Sequence, residues 1–582
     1  LFEQFQNDLN ESQRQAATAP DGANLILAGP GSGKTRVITY RVAYLIANGV
    51  SPGSILLVTF TRRAAREMVR RLDGLVGPAA AKVWAGTFHH VGNRLLRHAA
   101  PLLGYQSNFT ILDGEDQLDL LRLAMDDVGL VSKEKLAPKP SQVLQILSFR
   151  NNTGRSLREI IESRSPELAD WIGGIEQVGE AFTSRKRAAN SIDYDDLLIL
   201  WRRLIREFPD QLERQARLFR HILIDEMQDT NALQVEIVES VARAGSGNIT
   251  VVGDDAQAIY QFRGANYDNI LKFADRHPGA RIFPLEVNYR STPQIVAYTN
   301  ASIARNKTGF PKNLVSTRSN GILPVVVATS TVFEEASLVC QQILESHESG
   351  ISLGRMAVLY RNHYDSVVLQ GELLARGIPY VIRSGVRFFE QAHVKDVLAY
   401  LRIIVNPNDE ASWRRLLLLL PGIGAVKASG IFRRLGQSGD PLKALESSET
   451  MAVVPPRSRG LFAAFVGDIQ RIRATNPERN PASAIAAVLN GGYRSTLKDR
   501  YDRPENRLAD LEQFAVLASK YESLEGMLSE LILDGDVYGS DAVSGRNADD
   551  VLVLSTVHQA KGLEWSHVFV IRMIEETFPH YR

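Results

Sequence analysis

The sequence predicts an α/β protein with two parallel-sheet cores, each interrupted by a mainly helical insertion. Three observations carry that expectation. Short apolar runs end in loop residues and alternate with helical segments. Long stretches rich in Leu, Arg and Glu at helical spacing separate two groups of such runs. And 582 residues, 44% hydrophobic and 23% charged, hold roughly three to five domains at about 100–200 residues each.

The first core opens with the run Leu25 to Ala28, which enters a glycine-rich stretch. A helical segment around Thr35 to Ile46 and a second run, Ile55 to Val58, follow. That is a β-α-β pattern. From about His89 to Phe219 the spacing is helical; strand signals return at His221 to Ile224 and Ile249 to Val252. In the second half, Val325 to Val327, Met356 to Tyr360, Val551 to Ser555 and Val568 to Ile571 read as buried strands. A mostly helical stretch lies between Gly385 and Asp550. The expected domains are residues 1–88 with 216–283 (first core), 89–215 (its insertion), 284–384 with 551–582 (second core) and 385–550 (its insertion).

Composition excludes several classes. The hydrophobic share is that of an ordinary globular chain, which excludes large-scale disorder. Cys340 is the sole cysteine, so a disulfide scaffold is excluded and a reducing compartment is expected. Lys and Arg number 67 against 66 Asp and Glu, a net +1. A nucleic-acid surface must therefore come from where the charges sit. The opening LFEQFQNDLN lacks the basic end and apolar stretch of a signal peptide. With no initiator Met, the numbering is expected to begin at a processed or first ordered residue. The leucine run Leu416–Leu420 is far short of a bilayer span. The expected setting is cytoplasmic, with no membrane partner.

Residues 28–35 read AGPGSGKT, following a strand and opening a helix. This is the phosphate-binding loop pattern of a P-loop NTPase, Ala28 to Thr35 with Arg36 behind it. Gly29, Gly31 and Gly33, with Pro30 and Ser32 between them, let backbone N–H groups curl around phosphate oxygens at the positive end of the helix. Lys34 can reach the outer phosphates, and the Thr35 hydroxyl can hold Mg²⁺. The run Ile222-Leu223-Ile224 delivers Asp225 to the same metal and leaves Glu226 to polarise an attacking water. ATP and Mg²⁺ are the implied cofactors.

DEMQDTN at 225–231 and VGDDAQAIYQFRGA at 252–265 resemble motifs II and III of the superfamily 1 DNA helicases. LEVNYRS at 285–291 and TVHQAKGLEW at 556–565 are similar to motifs IV and V; TFTRRAAREM and GTFHH resemble Ia and Ib, and LNESQRQAA the Q motif. The nearest branch is the UvrD/Rep/PcrA group. The resemblance implies two RecA-like cores and several roles. Gln13 would read the adenine edge, Tyr289 stack on the base and Glu564 sit near the ribose. Gln257 would sense the γ-phosphate, and Arg290, arriving from the second core, would act as an arginine finger. ATP would bind in the cleft between the cores.

Single-stranded DNA needs cations for phosphates and aromatic faces for bases. Phe60 with Arg62 and Arg63, Phe88 with His89, and Tyr260, Phe262 and Arg263 supply both, Phe262 standing where the family often has tryptophan. Phe88 serves a core equally well, and His558 is a further phosphate contact. The segment Leu420 to Ala428, LPGIGAVKA, resembles a helix-hairpin-helix turn whose Gly422 and Gly424 would free N–H groups for a duplex phosphate. The acidic run Asp193, Asp195, Asp196 reads as a loop entering a helix rather than a metal site.

The resemblance implies an ATP-driven helicase moving 3′→5′ on single-stranded DNA and unwinding duplexes in repair or replication. Accessory proteins of those processes are possible partners, and the chain is expected to be a monomer or weak dimer. The motor of a helicase-nuclease and a protein-displacing translocase that hardly unwinds are the alternatives. After GLEW the family continues to motif VI, which carries another γ-phosphate arginine. The sequence stops at Arg582 before it, so weak ATP turnover is expected.

Overall fold

The computed structural model describes residues 2–130, 138–383, 391–501, 504–519, 521–533, 542–544 and 550–579. It forms two compact units, Leu1–Ile322 with Lys395–Asp534, and Leu323–Val394 with Gly535–Arg582.

The first unit carries strands β1 (Ala23–Ala28), β2 (Ile55–Thr59), β3 (Trp84–Thr87), β4 (Thr110–Ile111), β5 (Ser191–Ile192), β6 (His221–Ile224), β7 (Ile249–Gly253), β8 (Arg281–Leu285), β9 (Val287–Asn288) and β10 (Val315–Ser316). Six of them make one sheet in the order β3-β2-β6-β7-β1-β8, parallel throughout. Its inner strands are buried on both faces, which is why they read as continuous apolar runs. Leu25, Leu56, Val58, Ile222, Ile224 and Val251 pack on one face with Phe88 and Trp201. Ile26, Ile55, Leu57, Leu223 and Val252 pack on the other against Val37, Ile38 and Val42 of the helix Lys34–Ala47. Arg41 of that helix is buried. It donates to Thr250 Oγ1 at 3.0 Å and to the carbonyls of Ala17 and Ala19, fixing the entry to β1. With every strand parallel, the loops after β1, β6 and β7 gather at one edge, where ligands of such sheets bind.

The first insertion is helical around Leu121, Val143, Ile161, Ile175 and Val178, with the short β4–β5 ladder beside it. The helical segment from Lys395 onward fastens to this insertion through buried charge. Lys395 Nζ lies 2.9 Å from Asp113 Oδ1 and 2.6 Å from Glu115 Oε2, and Arg402 pairs with Asp116 at 2.5 Å. Burial alone would raise the Asp116 carboxyl, yet Arg402 and Lys395 hold it below its ordinary value. Asn406 Nδ2 donates to Thr110 Oγ1 and to the carbonyls of Ala189 and Asn190, tying the same joint to β4 and β5.

The second unit holds β11 (Met356–Tyr360), β12 (Tyr380–Arg383), β13 (Ala542–Ser544), β14 (Leu552–Thr556) and β15 (His567–Val570), in the order β13-β12-β14-β11-β15. All its pairings are parallel except β12 with β13. Val325 to Val327, expected as a buried strand, is not one. No described residue pairs with it, and the three valines stand 57–93% exposed. A strand needs a ladder partner as well as β-branched residues.

Removing Arg402 takes the ion-pair partner from the buried Asp116. Arg402→Met is expected to cost about 3–5 kcal/mol in urea unfolding. A cost under about 1 kcal/mol, the range of an exposed pair, would show that the joint is solvated.

Candidate nucleotide and nucleic-acid site

Each glycine of the phosphate loop answers a separate demand. A Cβ on Gly29 would fall 2.4 Å from Leu314, one on Gly31 2.7 Å from the Arg290 Cβ, and one on Gly33 2.8 Å from Gln13 Nε2. Gly31 and Gly33 also have φ of +69° and +86°, which side chains resist. Ser32 Oγ bonds the Gly29 carbonyl at 2.7 Å, and Lys34 Nζ lies 3.4 Å from the carbonyl of Ala28. Thr35 opens the helix, half-buried beside them. Arg36 turns outward to the Asp8 carbonyl at 3.2 Å.

Residues 285–318 lie across this loop like a strap. Tyr289 N–H donates to Gly31 O at 2.9 Å and Asn288 Nδ2 to Pro30 O at 2.7 Å. The Tyr289 hydroxyl accepts from Asn10, and Lys312 pairs with Asp254 and Asp255 behind β7. Tyr289 and Arg290 thus lie in a segment hydrogen-bonded to the phosphate loop, within the compact unit that includes residues 1–322.

Gln13, expected at the adenine edge, is buried with both ends of its amide engaged. Nε2 donates to Ser32 O at 2.9 Å, and Oε1 accepts from Asn10 N–H. It braces the loop. The ring of Tyr289, 41% exposed, stays available for stacking.

Asp225 follows β6 and is buried, held through its N–H to Val58 O. Its Oδ1 has no hydrogen-bond partner among the described residues. Burial and then Glu226 push its carboxyl up to about 8, against the pull of Lys34. A buried carboxyl with an orphaned oxygen beside a phosphate loop fits a divalent cation, with Thr35 as the second protein ligand. Glu226 sits at φ +54°, a left-handed conformation costly for a side-chain residue. Gln228 donates to its carboxylate and accepts from Asp254 N–H. Gln257 donates to the same Asp254. Asp254 thus gathers Glu226, Gln257 and Lys312 into one network. Neither Gln228 nor Lys312 was singled out in the sequence.

On the strand-binding side, Phe60 stacks on Tyr260 with centroids 4.7 Å apart, Tyr260 lies 6.2 Å from Phe262, and Arg263 covers both rings of Tyr260 and Phe262. Phe262 is 49% exposed, the open end of the ladder. Arg62 donates to the Tyr194 hydroxyl at 2.9 Å, His89 lies edge-on to the same ring, and Arg63 is exposed. Burial and then Arg62 push His89 down to about 4, so its ring is neutral at pH 7. Phe88 is a correction. It is 2% exposed inside the sheet core against β2 and β6, where no base can reach it.

Gly422, at φ +86°, and Gly424 lie in the exposed turn between the helices Glu410–Leu419 and Ala425–Gly436, Gly424 being the N-cap residue of the second. Asp193 caps the helix Tyr194–Glu207, Lys186 pairs with Asp193 and Asp196 at 2.6 Å each, and Asp195 accepts from Asn152. That acidic run is committed to structure. In the second unit, His558 and Glu564 lie on the loop between β14 and β15, His558 half-buried and Glu564 exposed.

Residues 9–278 match the family model of the UvrD/REP helicase N-terminal domain, and residues 283–438 with 446–582 that of the UvrD-like helicase C-terminal domain. The chain is 33% identical over 595 residues to the ATP-dependent DNA helicase PcrA of Bacillus subtilis, covering 100% of this chain and 79% of the relative. It is 34% identical over 612 residues to the ATP-dependent DNA helicase UvrD1 of Mycobacterium tuberculosis, with the same coverage. PcrA of Staphylococcus aureus matches at 32% over 589 residues, 99% of this chain and 79% of the relative.

Because Asp225 keeps its proton up to about pH 8 when folded, folding takes up a proton between about pH 4 and 8 and loses stability as pH rises through that window. Asp225→Asn is expected to raise the Tm of the nucleotide-free chain by roughly a few degrees at pH 8 and by less at pH 5; calorimetry showing the larger gain at pH 5 would reverse the assignment. Phe262→Ala is expected to weaken binding of a single-stranded oligonucleotide by about 1–3 kcal/mol, measured by fluorescence anisotropy.

Proposed function

The chain belongs to the UvrD-like superfamily 1 helicases, and on that premise we propose how its residues divide the labour of an ATP-dependent DNA helicase. Such a protein couples ATP hydrolysis to translocation and strand separation, work that serves DNA repair and replication. The observation that carries our division is the gathering of Lys34, Asp225, Glu226, Gln257 and the Tyr289–Arg290 segment at one edge of the first sheet.

Lys34 and the loop N–H groups bind the phosphates of ATP. Thr35 and Asp225 hold Mg²⁺, which when bound neutralises charge on the outer phosphates. Glu226 orients and deprotonates the attacking water, its carboxylate aimed by Gln228. Gln257 leaves Asp254 for the γ-phosphate, and Arg290 stabilises the charge that develops on the transferring group. Tyr289 stacks on the base. Phe262, Arg263, Arg62, Arg63 and the neutral His89 receive the single strand, while the Gly422–Gly424 turn contacts duplex backbone. Movement runs 3′→5′, the polarity of the branch resembled.

Lys34→Ala is expected to abolish ATP turnover while single-strand binding persists; ordinary turnover in that variant would refute the site. Gly424→Pro is expected to impair unwinding more than single-strand-stimulated hydrolysis. Equal loss of both in paired assays would remove the turn from the duplex interface.

A further inference from the structure

We propose that Asn288 is a positioning residue that holds the phosphate loop and Arg290 in one register, a single amide serving both. Its part concerning Arg290 rests on the arginine-finger reading above; its part concerning the loop does not.

Asn288 is 2% exposed at the end of β9. Its Nδ2 donates to Pro30 O at 2.7 Å, and its Oδ1 accepts from the N–H groups of Arg290 at 2.9 Å and Ser291 at 2.8 Å. Its carbonyl accepts from Thr317 N–H at 3.1 Å, which joins it to the far side of the strap. The bond to Pro30 has a directional consequence. A trans peptide points its C=O and N–H in opposite directions, so gripping the Pro30 carbonyl turns the Gly31 N–H away from the strap and towards the phosphate side. That is the orientation an anion nest requires. Contact reinforces the bond: a Cβ on Gly31 would lie 2.7 Å from Arg290 Cβ and about as near the Asn288 amide, so the loop and the finger's backbone cannot shift independently.

A local role would be simpler. Oxygen acceptance from the second and third following N–H groups is an Asx turn, which Asp makes as well as Asn. The bond to Pro30 crosses 258 residues of sequence and needs the amide donor that Asp lacks. Asn288→Asp therefore preserves the turn and removes the loop bond, setting a carboxylate against a carbonyl. Asn288→Ala removes both.

The test measures mant-ADP·Mg²⁺ affinity, single-strand-stimulated ATP hydrolysis and Tm for Asn288→Asp, Asn288→Ala, Arg290→Ala and the double variant Asn288→Ala/Arg290→Ala. Asn288→Asp is expected to weaken mant-ADP binding and raise KM for ATP by about tenfold, with kcat within about twofold. Asn288→Ala is expected to lower kcat as well, with no further loss once Arg290 is gone, the signature of action through one partner. Wild-type mant-ADP affinity in Asn288→Asp would overturn the hold on the loop. Independent, multiplying kcat losses for Asn288→Ala and Arg290→Ala would overturn the hold on the finger. A lowered Tm with nucleotide binding and kinetics unchanged would make Asn288 a structural turn only and overturn both. Should Arg290→Ala alone leave kcat untouched, the arginine-finger reading fails, while the mant-ADP measurement still decides the loop.

Discussion

The nucleotide site depends on one constraint: the carbonyls of the phosphate loop must find partners within the protein. Buried backbone acceptors cannot be left without partners. The carbonyls of Ala28, Gly29, Pro30, Gly31 and Ser32 are met by Lys34, Ser32 Oγ, Asn288, the Tyr289 N–H and Gln13 in turn. Three of those five donors come from outside the loop and helix. The Q-like segment and the strap are therefore parts of the loop's own structure as well as neighbours of a ligand.

Charge is handled in two opposite ways in the same unit. At the joint between the insertions, the half-buried Asp113 and the buried Asp116 are ion-paired with Lys395 and Arg402. At the end of β6, Asp225 is buried with an oxygen that finds no partner among the described residues. The first arrangement pairs its buried charge; the second leaves a buried carboxyl oxygen unpaired, as the proposed cation site requires. Glu226, in its left-handed conformation one residue on, adds strain at the same place.

Much of this was legible in the sequence. The parallel sheet followed from apolar runs that lack alternation, and the glycines at 29, 31 and 33 from the loop pattern. The sequence marked where chemistry gathers more reliably than which way a side chain faces. Phe88 lies in the Ib-like segment but begins a helix whose inner face is core. Gln13 sits in the expected segment, yet the capping box with Asn10 turns its amide to the loop. Arg290 follows the border of the second core in sequence, and what the sequence does not show is that its strap is hydrogen-bonded to the phosphate loop. Val325 to Val327 have the composition of a strand, and composition does not supply a neighbour. Lys312 has no local signal at all, because its meaning lies 57 and 58 residues away at Asp255 and Asp254.

The segment after β7 bears both Gln257, bonded to Asp254, and Phe262, the open end of the aromatic ladder. They lie five positions apart, a contour of at most about 18 Å. On the division of roles proposed above, the nucleotide and strand contacts of this segment are joined by a short tether, with Tyr260 stacked under Phe60 partway along it. Under that division, a movement at Gln257 reaches Phe262 only through a segment whose slack is limited by the Phe60–Tyr260 contact.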